Sequence, residues 1–167
     1  MFAADAMEST SALLIVLSCS VLPVTAAPGR QAAPTAAGAV TEIALERQCF
    51  GCENAQGVTL RQDGSATKVR FGNARLRIPE TITKGAIDRA EFERLANLLQ
   101  SEGFFDLKEA YRDPAVRDGE WVTIRAEHGG GAKAVLNSNQ AGPANLARIQ
   151  KAIEELAERI AWTPVDR

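Results

Sequence analysis

The sequence predicts an α+β fold, an antiparallel β-sheet built from hairpins with two amphipathic helices packed on one face. Three observations predict it. Between Thr41 and Ala86, apolar and polar residues alternate with period two, interrupted by turn pairs. After Asp88 the apolar spacing becomes that of a helix. The period-two pattern then returns between Trp121 and Ser138, and a second helical stripe follows Pro143. A chain of 167 residues suits one domain, and a hydrophobic fraction of 46% is enough for a core. Aromatics are only 5%, so aliphatic side chains must fill most of that core.

In "TEIALERQ", Ile43 and Leu45 share one face while Glu42, Ala44 and Glu46 share the other, which is a strand. "GVTLRQDGSATKVRFG" reads as strand, turn, strand, because Asp63-Gly64 is a strong hairpin pair. A second two-residue turn is expected at Gly72-Asn73, with "ARLRIP" as the returning strand and Pro79 at its end. "ETITKGA" carries one more short extended piece. "IDRAEFERLANLLQSEG" is a helix: Asp88 is its N-cap, and Glu91 three residues on completes a capping box. Phe92, Leu95, Ala96 and Leu99 form its apolar stripe, and Gly103 suits the left-handed position that ends it. Phe104, Phe105 and Leu107 then return to the core. "KEAYRDPAVRDGE" reads as a polar loop. "WVTIRAE" and "AKAVLNS" alternate around "HGGG" as a third hairpin. In the last helix Pro143 suits the first turn, and Leu146, Ile149, Ile153, Leu156 and Ile160 repeat at helical spacing.

The N-terminus reads as an export leader. "ALLIVLSCSVLPV" is apolar but shorter than the ~20 residues of a membrane span. Val24-Thr25-Ala26 is a small-x-small cleavage site, so residues 1–26 are expected to be a signal peptide. The segment before the apolar run has no Lys or Arg, whether the chain starts at Met1 or Met7, and an uncleaved hydrophobic anchor is the competing reading. "VLSC" loosely resembles a lipobox, which makes Cys19 a candidate lipidation site; otherwise Cys19 is discarded with the leader. Residues 27–40 are Ala/Pro/Gly-rich and form a linker. The folded domain is expected over 41–162, with 163–167 as a C-terminal tail. Asp5 and Glu8 leave with residues 1–26, so the 21 acids fall to 19 against 19 bases. A neutral mature chain gives no reason to expect nucleic acid as a partner.

Taken together, "CFG" with a nearby Cys, "DG" in a hairpin and "DRAEFERLANLLQSEGFFDL" resemble a bacterial family of small exported proteins classed as a domain of unknown function. Its pattern is Cys-Phe-Gly-x-Cys-Pro, a hairpin, an acid-capped helix ending at an FF-x-L segment, another hairpin and a final amphipathic helix. The resemblance covers about Thr41 to Trp162 and implies a fold and an exported location, but no activity. This chain departs from the pattern at the cysteines: Cys49 and Cys52 are three apart, and Glu53-Asn54-Ala55 replace the following proline and tyrosine.

The Cys49/Cys52 pair has three readings. A redox pair belongs at a helix N-terminus beside a base. Here strand patterns lie on both sides, and Glu53 would raise a thiol pKa. A zinc site needs four ligands, and the only histidine, His128, is over seventy residues away. A disulfide fits an oxidising compartment and would pin the bend at Gly51. His128, beside Gly129-Gly130-Gly131, is expected to be a turn residue. Asp113, Asp118 and Glu120 lack calcium-loop spacing. No cofactor, metal or catalytic residue is expected.

If Gly72-Asn73 is a tight turn, Arg70 faces Arg75 and Lys68 faces Arg77. Val69, Phe71 and Leu76 then share the buried face. Two opposed like-charge pairs cost up to about 1 kcal/mol each. Acids from elsewhere could offset that, or the four cations could form a docking face for an anionic envelope component or partner protein. The function read from the sequence is a non-catalytic binding or structural role in the cell envelope, periplasmic or secreted. The alternative is a thiol-disulfide oxidoreductase using Cys49 and Cys52.

Overall fold

The computed structural model describes residues 39–53, 55–116 and 118–165. The expected leader with Cys19, and the expected linker up to residue 38, lie outside the described residues; Val40, expected as the linker's last residue, instead opens β1 and is buried. β1 (Val40–Cys49) alternates as the sequence dictates, with Ile43 and Leu45 buried. β2 (Gln56–Arg61) and β3 (Ser65–Arg70) form the hairpin expected at Asp63-Gly64. Ser65 N donates to Asp63 Oδ1 at 2.8 Å, and Gly64 takes φ +88°. β4 (Thr81–Ala86) follows, then α1 (Arg89–Ser101), β5 (Ala110–Tyr111), β6 (Glu120–His128), β7 (Gly131–Ser138), α2 (Ala144–Arg159) and β8 (Thr163–Pro164).

All eight strands join one sheet, in the order β5-β7-β6-β1-β2-β3-β4-β8. Every pairing is antiparallel except β5 with β7, so the sheet is mixed rather than wholly antiparallel. The exception has a topological cause. β5 leads into β6, but β7 inserts between them. β5 ends where β6 begins, so those two strands run in opposite directions; β7 also runs against β6 and therefore runs with β5. Thr163 and Pro164 pair with β4, so the sheet takes in residues assigned by sequence to a tail.

One face of the sheet carries the core. Ile43 and Leu45 pair with Leu60 and Val58 on one side and with Ala126 and Ile124 on the other, and all six are buried. Phe92, Leu95, Ala96 and Leu99 of α1 join that cluster, as do Leu146, Ile149, Ile153 and Leu156 of α2. The stripes read at 3.6-residue spacing are therefore the buried stripes. On the opposite face no side chain among the described residues is fully buried.

Asp88 caps α1, accepting from Ala90 N at 2.7 Å. Glu91 does not close a capping box. Its carboxylate accepts from Arg159 of α2 at 3.3 Å, while Arg148 near the start of α2 donates to Glu102 just past α1, at 2.6 Å and 3.0 Å. The two helices are thus antiparallel. The Arg148 hydrogen bond holds the Glu102 carboxyl below its ordinary pKa. Gly103 has φ +68°, the left-handed stop expected there.

The strand expected at "ARLRIP" does not form. Gly72 makes no two-residue turn: a Cβ there would meet Glu80 N at 2.9 Å and Ile78 O at 3.1 Å, so glycine is what lets the loop close on its own backbone. Asn73 and Ile78 bridge, and Ala74–Leu76 form a 3-10 turn whose Leu76 N and Arg75 N donate to Asn73 Oδ1. Asn73 captures its own following amides, which ends the extended run. β3 pairs instead with "TITKGA", Arg70 opposite Thr81 and Lys68 opposite Thr83.

Candidate functional site

The register sorts the connections to the two ends of the sheet. Where β1 ends at Cys49, it faces Glu120, the start of β6, and Arg47 faces Gln56, the start of β2. Arg70, the end of β3, pairs with Gln56 and with Thr81, the start of β4. One rim therefore gathers the Cys49–Gln56 link, the 71–80 loop and the 112–119 loop.

The first link holds the cysteines. Cys49 and Cys52 form a close pair with Cα atoms 5.5 Å apart, inside the range a disulfide takes. Cys49 ends a strand, and the residues after Cys52 lead into β2. Gly51 has φ +75°, the bend the sequence placed there. Phe50, between the cysteines, is 75% exposed. The second link is tied to the first by Phe71 N donating to Ala55 O at 2.9 Å.

The four cations do not form the opposed pairs expected. Lys68 sits on the helix-covered face opposite Val58, and Arg70 lies at the exposed end of β3. Arg75 and Arg77 flank Leu76 on the 3-10 turn, all three exposed, with Arg77 in the left-handed region at φ +52°. Leu76, expected in the core, is 45% exposed because it sits on that turn rather than on a strand. Among the described residues, Arg70, Arg75 and Arg77 are in no ion pair.

Sequence reasoning missed a second feature. Arg47 follows Ile43 and Leu45 on the core side of β1, and its guanidinium is held by Glu120 of β6 and Glu154 of α2. Burial disfavours the charge, but hydrogen bonds to both carboxylates outweigh it and raise the pKa above the ordinary value. The signal was present: a charge at a core-side position of an alternating strand needs a partner. Beside it lies a cleft of about 220 Å³, floored by Leu45, Val58 and Ile153 and edged by Lys68 and Glu158.

His128 belongs to β6 rather than to the turn. Gly129 and Gly130 supply the positive φ, and the imidazole packs on Phe105 with ring centroids 4.4 Å apart. Asp113, Asp118 and Glu120 assemble nothing: among the described residues no three His, Cys, Asp or Glu side chains converge on a point. No helix among them is long and apolar enough to cross a membrane.

Fold and rim define a small α+β domain with a one-sided mixed sheet and its distinctive chemistry at one sheet end. Residues 41–157 match the model of a family described as a domain of unknown function (DUF6438), and the chain belongs to that family. No curated protein matches the chain.

Proposed function

We propose that this is an exported bacterial domain without a catalytic role, which binds an anionic component of the cell envelope through its cysteine-bearing rim. One observation carries the reading: Arg70, Arg75 and Arg77 lie at that rim, and among the described residues none of the three is in an ion pair. Like charges gathered at one rim repel, and an anionic partner relieves the repulsion. The apolar run at 12–24 supports export, and the Ala/Pro/Gly-rich stretch before β1, residues 27–39, supplies a tether. Cleavage after Ala26 or a lipid on Cys19 would both leave the domain at the envelope.

The reading is tested by co-sedimenting the protein with bacterial envelope fragments. Wild type is retained at low salt and released by ~0.5 M salt, where screening collapses such contacts, and Arg70→Glu with Arg75→Glu abolishes retention. Binding that ignores both salt and the substitutions would sink it.

Cys49 and Cys52 serve this rim as a disulfide staple. The loop is tiny, so Cys49→Ser lowers stability by about 2 kcal/mol in urea unfolding, through loss of the chain constraint. A loss near zero would show that the pair constrains nothing.

A further inference from the structure

The rim arginines have apolar company. The exposed large hydrophobic side chains among the described residues are Phe50, Leu76, Val116 and Val165. Phe50 lies in the Cys49–Gln56 link, Leu76 in the 71–80 loop and Val116 in the 112–119 loop. Val165 follows β8 and donates to Ile82 O near the start of β4. All four therefore belong to the same end of the sheet.

We infer that this rim docks on an anionic lipid bilayer, with Phe50 and Leu76 entering the headgroup–acyl boundary and Arg70, Arg75 and Arg77 meeting lipid phosphates. The inference rests on the binding role proposed above and names its partner. Its basis is the shape of the apolar groups. Phe50 and Leu76 are single tips on separate connections, not a concave patch. A protein partner would need a pocket for each tip. An anionic polymer offers phosphate or carboxylate but no apolar phase. A bilayer interface offers both, at the depths where arginine heads and apolar tips lie.

The tips are also held in place. The cysteine pair pins Phe50, and Asn73 fixes the turn that lifts Leu76 between Arg75 and Arg77. Glu53, Glu80, Asp113 and Asp118 share the rim, as does Arg112, and Glu80 makes an interaction of its own, so the positive charge is local to the arginine-bearing loop. The stretch from Arg70 to Glu80 holds three cations and one acid. Where the N-terminus stays anchored, residues 27–39 can extend to at most ~45 Å, enough to carry the rim past the ten residues of β1, which span ~33 Å.

The test uses the full chain with Phe50→Trp and vesicles brominated on the acyl chains. Emission of the introduced indole, corrected for Trp121 and Trp162 with the wild type, is quenched by vesicles containing phosphatidylglycerol. It is not quenched by phosphatidylcholine alone, even if the N-terminal apolar segment holds the chain there. Arg75→Gln with Arg77→Gln weakens the anionic-vesicle partitioning ~25-fold, at ~5-fold per arginine. Leu76→Ser weakens it ~10-fold. No quenching, with salt-sensitive retention on immobilised dextran sulfate intact, would overturn the lipid assignment and leave the binding role standing. Loss of both signals would overturn both. Quenching that is equal in neutral vesicles would also overturn the assignment, because the arginines would then contribute nothing.

Discussion

Phe104→Ala lowers the free energy of unfolding by about 3–5 kcal/mol, the range for emptying a buried phenylalanine site. Phe104 has no exposed surface and sits on the 3-10 turn just past the left-handed Gly103. Its ring meets Phe105 edge-on at 5.5 Å, and Phe105 in turn rests on His128 of β6. The ring therefore fastens the end of α1 to the sheet, and the chain beyond it to β5. Leu107 O accepts from Lys133 of β7 at 2.5 Å, which holds the same segment from the far side. Alanine leaves a cavity that neither the sheet nor the helix can close, because both are fixed by their own hydrogen bonds. Urea unfolding measures the loss, and a thermal midpoint lower by on the order of 15 °C accompanies it. Phe105→Ala, at a half-buried position, costs about half as much. A loss below about 1 kcal/mol for Phe104→Ala would mean that this turn does not pack as described.

Elements with a strong period were legible in the sequence. Ile43 and Leu45 in β1, the Asp63-Gly64 turn, and the stripes of α1 and α2 all follow from local pattern, because burial enforces that pattern residue by residue. The failures lie where tertiary contact overrides local signals. "ARLRIP" alternates as a strand would, yet Asn73 draws two following amides to its side chain and turns the chain into a 3-10 loop. β5 is two residues long and carries no period of its own; the edge of β7 creates it, with Leu136 N donating to Glu109 O at 2.9 Å. At the rim, the sequence supplied Arg70, Arg75 and Arg77 as cations but placed them through a register that does not exist. Their gathering survives for a different reason, since Arg70 ends β3 and the other two lie on the loop that follows. Phe50 gave no signal, because hydrophobicity between two cysteines reads as core unless the bend that exposes it is seen.

Gly85→Val costs about 3 kcal/mol of stability, against the direction that strand propensity predicts. Gly85 lies in β4 opposite the buried Ala66. On propensity alone, valine is better in a strand than glycine. The space above Gly85 is already taken. A Cβ there would meet Ile160 Cγ2 at 2.4 Å, Ala161 O at 3.2 Å and Trp162 Cε3 at 3.2 Å. These residues carry the chain from α2 to β8. Ile160 is buried, and Trp162 Nε1 donates to Ala157 O at 3.0 Å, so neither side chain can swing away without loss. Valine must displace the Ile160–Trp162 segment, and overpacking of this kind typically costs about 1–3 kcal/mol. The upper end applies here because backbone as well as side chain stands in the way. Displacing that segment also strips β8 from β4, so amide exchange accelerates at Val165, whose N–H donates to Ile82 O. Gly85→Ala shows the same effects at about half the size. Lys84→Val, one residue away on the opposite, exposed face, is close to neutral and separates packing from propensity. If Gly85→Val instead stabilised the protein, the α2–β8 connection would not cross this point of the sheet.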